Sequence, residues 1–282
     1  MAMERAKPSK AGEAWVSRDA ASGWQSGAAA RGQALAPVNE LMLDLVGVTV
    51  GSRVLDLGAG TGDQTLLAAQ RVGPTGTVMA TDISSSMLDL AREAAQAADL
   101  VNVQTQVMDA QDLKLESGSF DAVMASFSLQ FVPDVQRALA EVLRVLKPGG
   151  RFVTVVFSAL ERNAFRAAPQ AIASRLAGRS FPEPGPGQWA LNDPTTLMSE
   201  LQRAGFREVD VRAVPFVYRF ASLADALRNL RETQPPLKRL LDMLGETDRA
   251  AAWADIERTF AAFAEPDGFA GPAEALVAVG AA

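Results

Sequence analysis

Hydrophobic and polar positions alternate with two different periodicities along the middle of the chain. From residue 53 onward, short β-branched runs are followed by longer segments in which apolar residues recur every three or four positions. This alternation is typical of a parallel sheet whose strands are joined by crossover helices. It predicts strands at residues 54–57, 77–81, 101–107, 120–126 and 151–157, with helices at 64–72, after 84–86, and at 135–146. We therefore expect an α/β protein.

The regular alternation is absent from both ends of this region. Residues 1–37 are rich in Ala, Gly and Ser, with Trp15 and Trp24 as isolated apolar residues, and we predict an N-terminal arm or lid. Residues 38–157 and, further on, 194–215 and 271–282 are assigned to the core sheet. Residues 158–193 and 216–270 contain helical patterns at 164–176, 223–244 and 249–263, and a loop rich in Pro and Gly at 181–187; a further helix is predicted at 194–204. We interpret these two segments as insertions that form a helical cap over the carboxyl ends of the strands, where a substrate would bind.

Composition narrows the possible chemistry. The chain of 282 residues has no His and no Cys, so the usual zinc, copper and haem ligands are missing and no metal site is expected. A net charge of −6 without a basic cluster argues against nucleic-acid binding, and no apolar run is long enough to span a membrane. We predict a cytoplasmic protein with a small-molecule partner. The pattern leaves open whether it is a monomer or a homodimer.

The stretch RVLDLGAGTGD joins the first strand to the first helix of the alternating region. Gly58, Gly60 and Gly62 let the backbone approach a ligand at the helix N-terminus, although a tight turn without a ligand would also use glycine. A dinucleotide fingerprint is G-x-G-x-x-G, whereas here the third glycine comes after a single residue. Asp56, two positions before the loop, would repel a pyrophosphate. It suits a cation such as S-adenosylmethionine, which has an ammonium, a sulfonium and no phosphate.

Acidic residues also end the next two predicted strands. Asp82 follows Gly62 by 20 residues and is placed to accept hydrogen bonds from ribose hydroxyls, unless it is a solvated loop residue. Asp109, with the N–H of Ala110, is placed to bind an adenine edge or, alternatively, to cap a helix. Ile83 and Met87 are candidates to sandwich the adenine ring, or else belong to the core.

Five stretches in the same order resemble the class I S-adenosylmethionine-dependent methyltransferases, in particular the group that includes ubiquinone/menaquinone-biosynthesis C-methyltransferases. They are VLDLGAGTGDQT, ATDISSSML, MDAQDL, SFDAVMASFSLQFVPD and EVLRVLKPGGRF, and together they cover residues 50–157. A weaker match, LQRAGFREVDV, extends the resemblance to a sixth strand. The family implies a Rossmann-like, seven-stranded, mostly parallel sheet with helices on both faces and an antiparallel last strand.

The resemblance also implies roles for individual residues. Asp56 and the glycine loop would hold the methionine part, Asp82 the ribose, and Asp109 with Ala110 the adenine. Ser126 would lie near the sulfonium, with Phe127 and Gln130 facing the acceptor. The full set of predicted cofactor-binding residues is Asp56, Gly58, Ala59, Gly60, Gly62, Gln64, Asp82, Ile83, Met87, Asp109, Ala110, Ser126 and Phe127.

The chain departs from many relatives at Gln130, where they carry a histidine in L-H-x-V-x-D. Methyl transfer is an in-line displacement at an activated carbon, so alignment and exclusion of water can supply much of the acceleration. We therefore expect a small, apolar or aromatic acceptor that brings its own nucleophilicity, with methylation at C, N or O left open. The predicted substrate-binding residues are Trp24, Gln130, Asn163, Trp189 and Tyr218.

No catalytic residue is assigned from the sequence. Gln130 and Tyr218 are the named candidates; carboxylates in the cap, or a water held by Gln130 or Asn163, remain alternatives. Our hypothesis is that Gln130 orients the acceptor and carries no proton. An alternative function keeps the cofactor site without methyl transfer, as in a cyclase or a sensor. A nicotinamide-dependent reductase is disfavoured by the loop spacing and by LKPGG.

Overall fold

The computed structural model describes residues 12–282, so residues 1–11 of the predicted arm lie outside the described part. The helices are α1 (Arg18–Ser26), α2 (Ala28–Leu45), α3 (Asp63–Val72), α4 (Ser85–Ala97), α5 (Val135–Val145), α6 (Ala164–Leu176), α7 (Pro194–Ala204), α8 (Leu223–Thr233), α9 (Pro235–Asp242) and α10 (Glu246–Phe260). The strands are β1 (Arg53–Leu57), β2 (Thr77–Asp82), β3 (Val103–Val107), β4 (Phe120–Ser126), β5 (Leu146–Phe157), β6 (Arg207–Phe220), β7 (Ala264–Glu265) and β8 (Gly268–Ala281). Four 3₁₀ turns lie at Gly12–Trp15, Leu129–Phe131, Leu160–Arg162 and Ala261–Phe263.

The strands form one sheet in the order β3-β2-β1-β4-β5-β8-β6, and β7 pairs with β8 beside this path. Strands β1 to β5 are parallel, whereas β8 lies antiparallel between β5 and β6. This topology confirms the predicted fold class, with the two-residue β7 as an addition. Because the parallel strands point the same way, their carboxyl ends meet at one edge of the sheet, where α/β proteins bind ligands.

Both faces of the sheet are covered by apolar side chains. Val54 and Leu55, neighbours on β1, are fully buried but belong to different hydrophobic clusters, because successive side chains of a strand point to opposite faces. Met42 of α2 packs in the cluster of Val54, and Leu139 of α5 in that of Leu55. Helices therefore hold the strand ends rigid from both sides.

The N-terminal part of the described chain is helical, which differs from the predicted arm. The boundary placed after residue 37 falls inside α2, which continues through Pro37. Alanine has the highest helix propensity, and the buried Leu35 and Val38 on this helix pack into the main core. The segment before residue 38 is therefore part of the packed structure from α1 onward.

The predicted cap boundaries also differ from the structure. β6 and β8 pair along their lengths up to Phe220 and Phe269, so the boundaries after residues 215 and 270 cut through two long strands. Pro235 starts a new helix and splits the helical stretch predicted for residues 223–244. Helices α6, α9 and α10 share the hydrophobic cluster of Ala173, Leu240 and Ala252, which forms the helical cap.

Two features are absent from residues 12–282, the part of the chain that the structure describes. No helix in this part of the chain is long and apolar enough to cross a membrane. The same residues contain no group of three or more acidic, His or Cys side chains that could hold a metal ion.

Candidate cofactor and acceptor site

A cavity lies over the carboxyl ends of the parallel strands. The loops after β1, β2, β3 and β4 supply one wall, and the N-terminal helices and the cap supply the rest. The lining segments are residues 57–60, 63–64, 81–83, 108–111 and 126–133, together with Gly12, Trp15, Trp24, Arg31, Leu35, Met87, Phe157, Arg166, Gln188 and Tyr218. Most of the predicted site residues therefore lie around one space.

Asp82 ties together the first two loops of the site. Its Oδ2 accepts a hydrogen bond from the Gly60 N–H at 3.0 Å, and its Oδ1 accepts from the Ser84 N–H at 2.8 Å. Burial raises the pKa of the Asp82 carboxyl, an effect that the hydrogen bonds from Ser84 and Gly60 oppose. Asp82, the residue predicted to bind the ribose, therefore lines the cavity and also holds the glycine loop in place.

Close packing explains two of the loop glycines. A Cβ on Gly58, whose φ is +71°, would meet the Cβ of Ser128 at 2.4 Å. The Ser128 hydroxyl in turn donates to the Leu57 carbonyl at 2.7 Å, so the loops after β1 and β4 touch directly. Gly62 has a φ of +90°, and a Cβ on it would lie 3.0 Å from the Cβ of Ala91 on α4. Gly62 therefore packs two helices together and does not line the cavity.

Asp56 lies beneath the cavity rather than on its wall. Its carboxylate is 1% exposed, and Oδ2 accepts a hydrogen bond from the Thr65 hydroxyl at 2.5 Å. Burial raises the pKa of Asp56 to about 7; the Thr65 hydrogen bond opposes the rise, while the negative charges of Asp82 and Asp63 add to it. The floor of the site thus holds a carboxyl group that a nearby positive charge would stabilise in its ionised form.

The residues predicted for the adenine lie together on the cavity wall. Ile83, Met87, Asp109 and Ala110 all line it. The Asp109 carboxylate also accepts hydrogen bonds from the backbone N–H of Gln111 at 2.9 Å and from its side-chain amide at 3.1 Å. Asp109 therefore shapes its own loop as well as facing the cavity.

The loop after β4 places an aromatic ring at the centre of the cavity. Phe127 has a φ of +50°, which side chains other than glycine rarely adopt and which recurs at functional sites. Its N–H donates to the Val155 carbonyl at 2.7 Å, and its ring centroid lies 4.5 Å from that of Phe157. Beside it, the Gln64 amide donates to the Ser126 hydroxyl at 3.1 Å.

Two predicted acceptor residues do not line the cavity. Asn163 is fully buried; its amide nitrogen donates to the Ser158 carbonyl at 3.2 Å and its oxygen accepts from the Glu274 N–H at 3.0 Å. It connects the end of β5 to β8. Trp189 packs behind Phe157, with ring centroids 5.5 Å apart, and donates to Gln170 at 3.1 Å. The predicted substrate contacts of Asn163 and Trp189 are therefore corrected: both side chains pack behind the residues that line the cavity and stabilise its wall.

Gln130, Trp24 and Tyr218 do line the cavity. Gln130 is 1% exposed, and neither atom of its side-chain amide has a hydrogen-bond partner within residues 12–282. Leaving buried donors and acceptors unpaired costs about 1–3 kcal/mol each. A side chain of this kind on a cavity wall is typical of a group that a ligand pairs with.

Sequence patterns missed several lining residues from the N-terminal helices. Trp15 meets Trp24 edge to face with centroids 5.0 Å apart, and it meets Phe131 at 6.0 Å. The Arg31 guanidinium stacks 3.8 Å above the Trp24 ring and pairs with Asp63 at 2.7 Å. The isolated tryptophans were visible in the sequence, but nothing near Arg31 indicated a site.

Comparisons with known proteins identify the family of the chain. The ubiE/COQ5 methyltransferase family matches residues 38–179. A ubiquinone/menaquinone biosynthesis C-methyltransferase, UbiE, of Klebsiella pneumoniae is 36% identical over 180 residues, which cover 60% of this chain and 71% of the relative.

Solved structures share the fold at lower identity. The YcgJ protein of Bacillus subtilis has a TM-score of 0.56 at 20% identity, over 86% of this chain and 97% of its own. Geranyl diphosphate C-methyltransferase of Streptomyces coelicolor A3(2), solved with S-adenosyl-L-homocysteine, has a TM-score of 0.52 at 16% identity, over 88% and 79% of the two chains. With its family match, its methyltransferase topology and its cavity at the strand ends, the chain belongs to the ubiE/COQ5 family and is an S-adenosylmethionine-dependent methyltransferase.

Proposed function

We propose that the cofactor lies across the carboxyl ends of β1, β2 and β3. Gly58, Gly60 and Gln64 would hold its methionine part and Asp82 its ribose, with the adenine against the wall of Ile83, Met87, Asp109 and Ala110. The space in front of the loop supports this placement, because a Cβ on Gly60 would meet only the Trp24 indole nitrogen, at 3.8 Å. The loop backbone is thus open to a ligand.

The charges at this end of the cavity also fit the cofactor. Asp82 and Asp109 line the wall, and Asp56 lies buried beneath it. Burial raises the pKa values of Asp56 and Asp82, so a positively charged ligand would relieve the cost of ionising them. The ammonium and sulfonium of S-adenosylmethionine supply such a charge, whereas a pyrophosphate would be repelled.

We propose that the acceptor is an electron-rich, hydroxylated aromatic ring methylated at carbon. The observation that carries this proposal is the set of six aromatic side chains that line the cavity. Ligand pockets of this type are mostly apolar with a few polar groups that orient the ligand. The enclosing rings are Trp15, Trp24, Phe127, Phe131, Phe157 and Tyr218. C-methylation is also what the name of the Klebsiella relative describes.

In this mechanism the protein positions the reactants and keeps water out. When bound, S-adenosylmethionine would supply an electrophilic methyl group, with its sulfur as the leaving group that keeps the bonding pair, and the acceptor carbon would provide the electron pair for the new C–C bond. Phe127 and Phe157 would hold the ring in line for this displacement, and Trp15 with Trp24 would close the cavity. Because the chain has no His and no Cys, we propose that no side chain removes the ring proton before transfer, and that the proton leaves to water once the cavity opens.

Incubation with methyl-labelled S-adenosylmethionine tests the proposed function. We expect label on a ring carbon of 1,4-dihydroxynaphthalene, located by NMR, and a product heavier by the mass of one labelled methyl group less the hydrogen that it replaces. The matched control is 1,4-dimethoxynaphthalene, which keeps the ring but cannot ionise, and we expect it to react much more slowly. Label found only on oxygen would overturn the proposed carbon acceptor. Tight cofactor binding without transfer to any aromatic probe would instead favour a non-methylative role.

Replacing Gln130 with leucine should separate acceptor binding from folding. We expect kcat/KM for the acceptor to fall by on the order of 10-fold, because the amide is the polar group that would orient the ring. The protein should be as stable as the wild type or more so in urea unfolding, because the variant removes an amide that is buried without partners. Recovery of Gln130→Ala turnover by added imidazole would contradict this, since it would show that a proton carrier was missing.

A further inference from the structure

Acidic and basic side chains both line the cavity. Asp82 and Asp109 line it near the ends of β2 and β3, while Arg31 comes from α2 and Arg166 from α6. Both arginines are buried, at 4% and 5% exposure. A buried guanidinium is costly unless a negative charge pairs with it. Each of these two guanidinium groups therefore needs a negatively charged partner.

Arg31 has its partner within the protein. Its Nε and Nη2 both lie 2.7 Å from Oδ2 of Asp63, and its Nη1 donates to the Trp24 carbonyl at 2.8 Å. Asp63 is the first residue of α3, directly after the glycine loop. Of the two arginines, Arg31 is therefore the one better placed to bind the carboxylate of the cofactor.

Arg166 has no such partner. Within residues 12–282, its guanidinium donates to the Tyr218 hydroxyl at 3.2 Å and forms no ion pair, and its buried Nε has no hydrogen-bond partner. Arg166 also lies in the first turn of α6, where the helix dipole disfavours a positive charge. In the ligand-free protein, burial, the missing counter-ion and the position at a helix N-terminus all make the positive charge of Arg166 energetically unfavourable.

Two neighbouring side chains add donors at the same place. The Tyr218 hydroxyl accepts from Arg166, so its own proton remains available to a ligand. The Gln188 amide oxygen is occupied by the Gln170 side chain at 3.0 Å, which leaves the Gln188 nitrogen, without a partner in the described chain, as a donor. Both residues line the cavity with Arg166. A guanidinium, a phenol and an amide therefore surround one end of the acceptor space with N–H and O–H groups.

We infer that this cluster, Arg166 with Tyr218 and Gln188, is a binding site for a carboxylate on the ring of the aromatic acceptor. A guanidinium binds a planar carboxylate through two parallel hydrogen bonds, and Tyr218 and Gln188 supply further donors. The inference rests on the proposed function only in taking this end of the cavity as the acceptor site. It makes the substrate an aromatic acid, held by its carboxylate at the cap and by its ring against Phe127 and Phe157.

Calorimetric titration of the S-adenosylhomocysteine-loaded protein tests the site without relying on turnover. The probes are 1-hydroxy-2-naphthoate and 1-hydroxy-2-naphthamide, which have nearly the same shape and differ in charge. We expect the wild type to bind the naphthoate more tightly by on the order of 10- to 100-fold. Arg166→Met should abolish this preference, and Tyr218→Phe should reduce it by several fold.

Arg162→Met is the matched control. Arg162 is exposed four residues before Arg166, so the variant removes the same charge from the chain but not from the cavity. It should keep the wild-type preference. Equal affinity of the wild type for both probes, or a preference that survives Arg166→Met, would overturn the inference. A matching loss of S-adenosylhomocysteine affinity in Arg166→Met would also overturn it, because Arg166 would then bind the cofactor.

The outcomes separate this site from the proposed function. Binding of naphthoate through Arg166, without methyl transfer to any aromatic probe, would support the carboxylate site and reject the proposed reaction. Methyl transfer to the neutral 1,4-dihydroxynaphthalene, with no effect of Arg166 on the naphthoate preference, would do the reverse.

Discussion

Replacing Asp82 with alanine is expected to raise the Kd for S-adenosylmethionine by about 100-fold or more. The variant loses the acceptor for the Gly60 and Ser84 N–H groups, so the glycine loop loses its tether to the end of β2. It also loses the proposed contact to the ribose. Hydrogen bonds to a charged group contribute about 1.5–3 kcal/mol each, so losing two of them is sufficient for this effect. Calorimetry with S-adenosylmethionine measures it.

Asp89→Ala is the control for this variant. Asp89 lies on the exposed side of α4, where it pairs with Arg92, and its removal changes the net charge equally. Its Kd should stay within about twofold of the wild type, as is usual for surface positions. A Kd for Asp82→Ala within a few fold of the wild-type value would show that the ribose lies elsewhere.

The stability of the ligand-free protein is expected to fall as the pH rises towards 8, mainly because of Asp56. Burial raises the pKa of this carboxyl from 3.8 to about 7. Between these values the folded protein keeps a proton that the unfolded chain has released, so raising the pH favours unfolding. The loss amounts to roughly 4 kcal/mol once the pH passes the folded-state pKa.

Asp56→Asn should remove most of this dependence. Asparagine keeps an oxygen for the Thr65 hydroxyl but carries no charge at any pH. At pH 8 the variant should be more stable than the wild type in urea unfolding, and at pH 4 the two should be similar. Some slope should remain, since burial also raises the pKa of Asp82. Parallel pH curves for the two proteins would show that Asp56 is ionised in the folded state throughout.

The same carboxyl should make cofactor binding depend on pH. A bound cation favours the ionised form of Asp56, so binding below pH 7 must release its proton. The affinity of the wild type for S-adenosylmethionine is therefore expected to rise between pH 6 and pH 8, and that of Asp56→Asn to be weaker and flatter. A wild-type affinity that falls over this range would contradict the proposed placement of the cofactor charge.

Local pattern was sufficient for the core of the fold and the acidic end of the site. Strand 120–126 and helices 164–176 and 194–204 were predicted with their observed bounds, because strong hydrophobic periodicity and clear N-terminal residues such as Asp193 mark them. Asp82 and Asp109 could be placed together because parallel strands end at the same edge of a sheet. The boundary predicted after residue 215, in contrast, falls inside β6, because proline is tolerated on an edge strand and pairing continues to Phe220.

The sequence by itself determined an α/β protein with a glycine loop, carboxylates at successive strand ends, and a site chemistry that uses no His or Cys side chain. Only the tertiary structure decided which polar side chains face the cavity. Asn163 bridges two backbone segments behind the wall, whereas Arg166, three residues later, lines the cavity. The reason is physical: the contacts of both depend on how the cap packs against β6 and β8, and hydrophobic spacing within one helix carries no information about that packing.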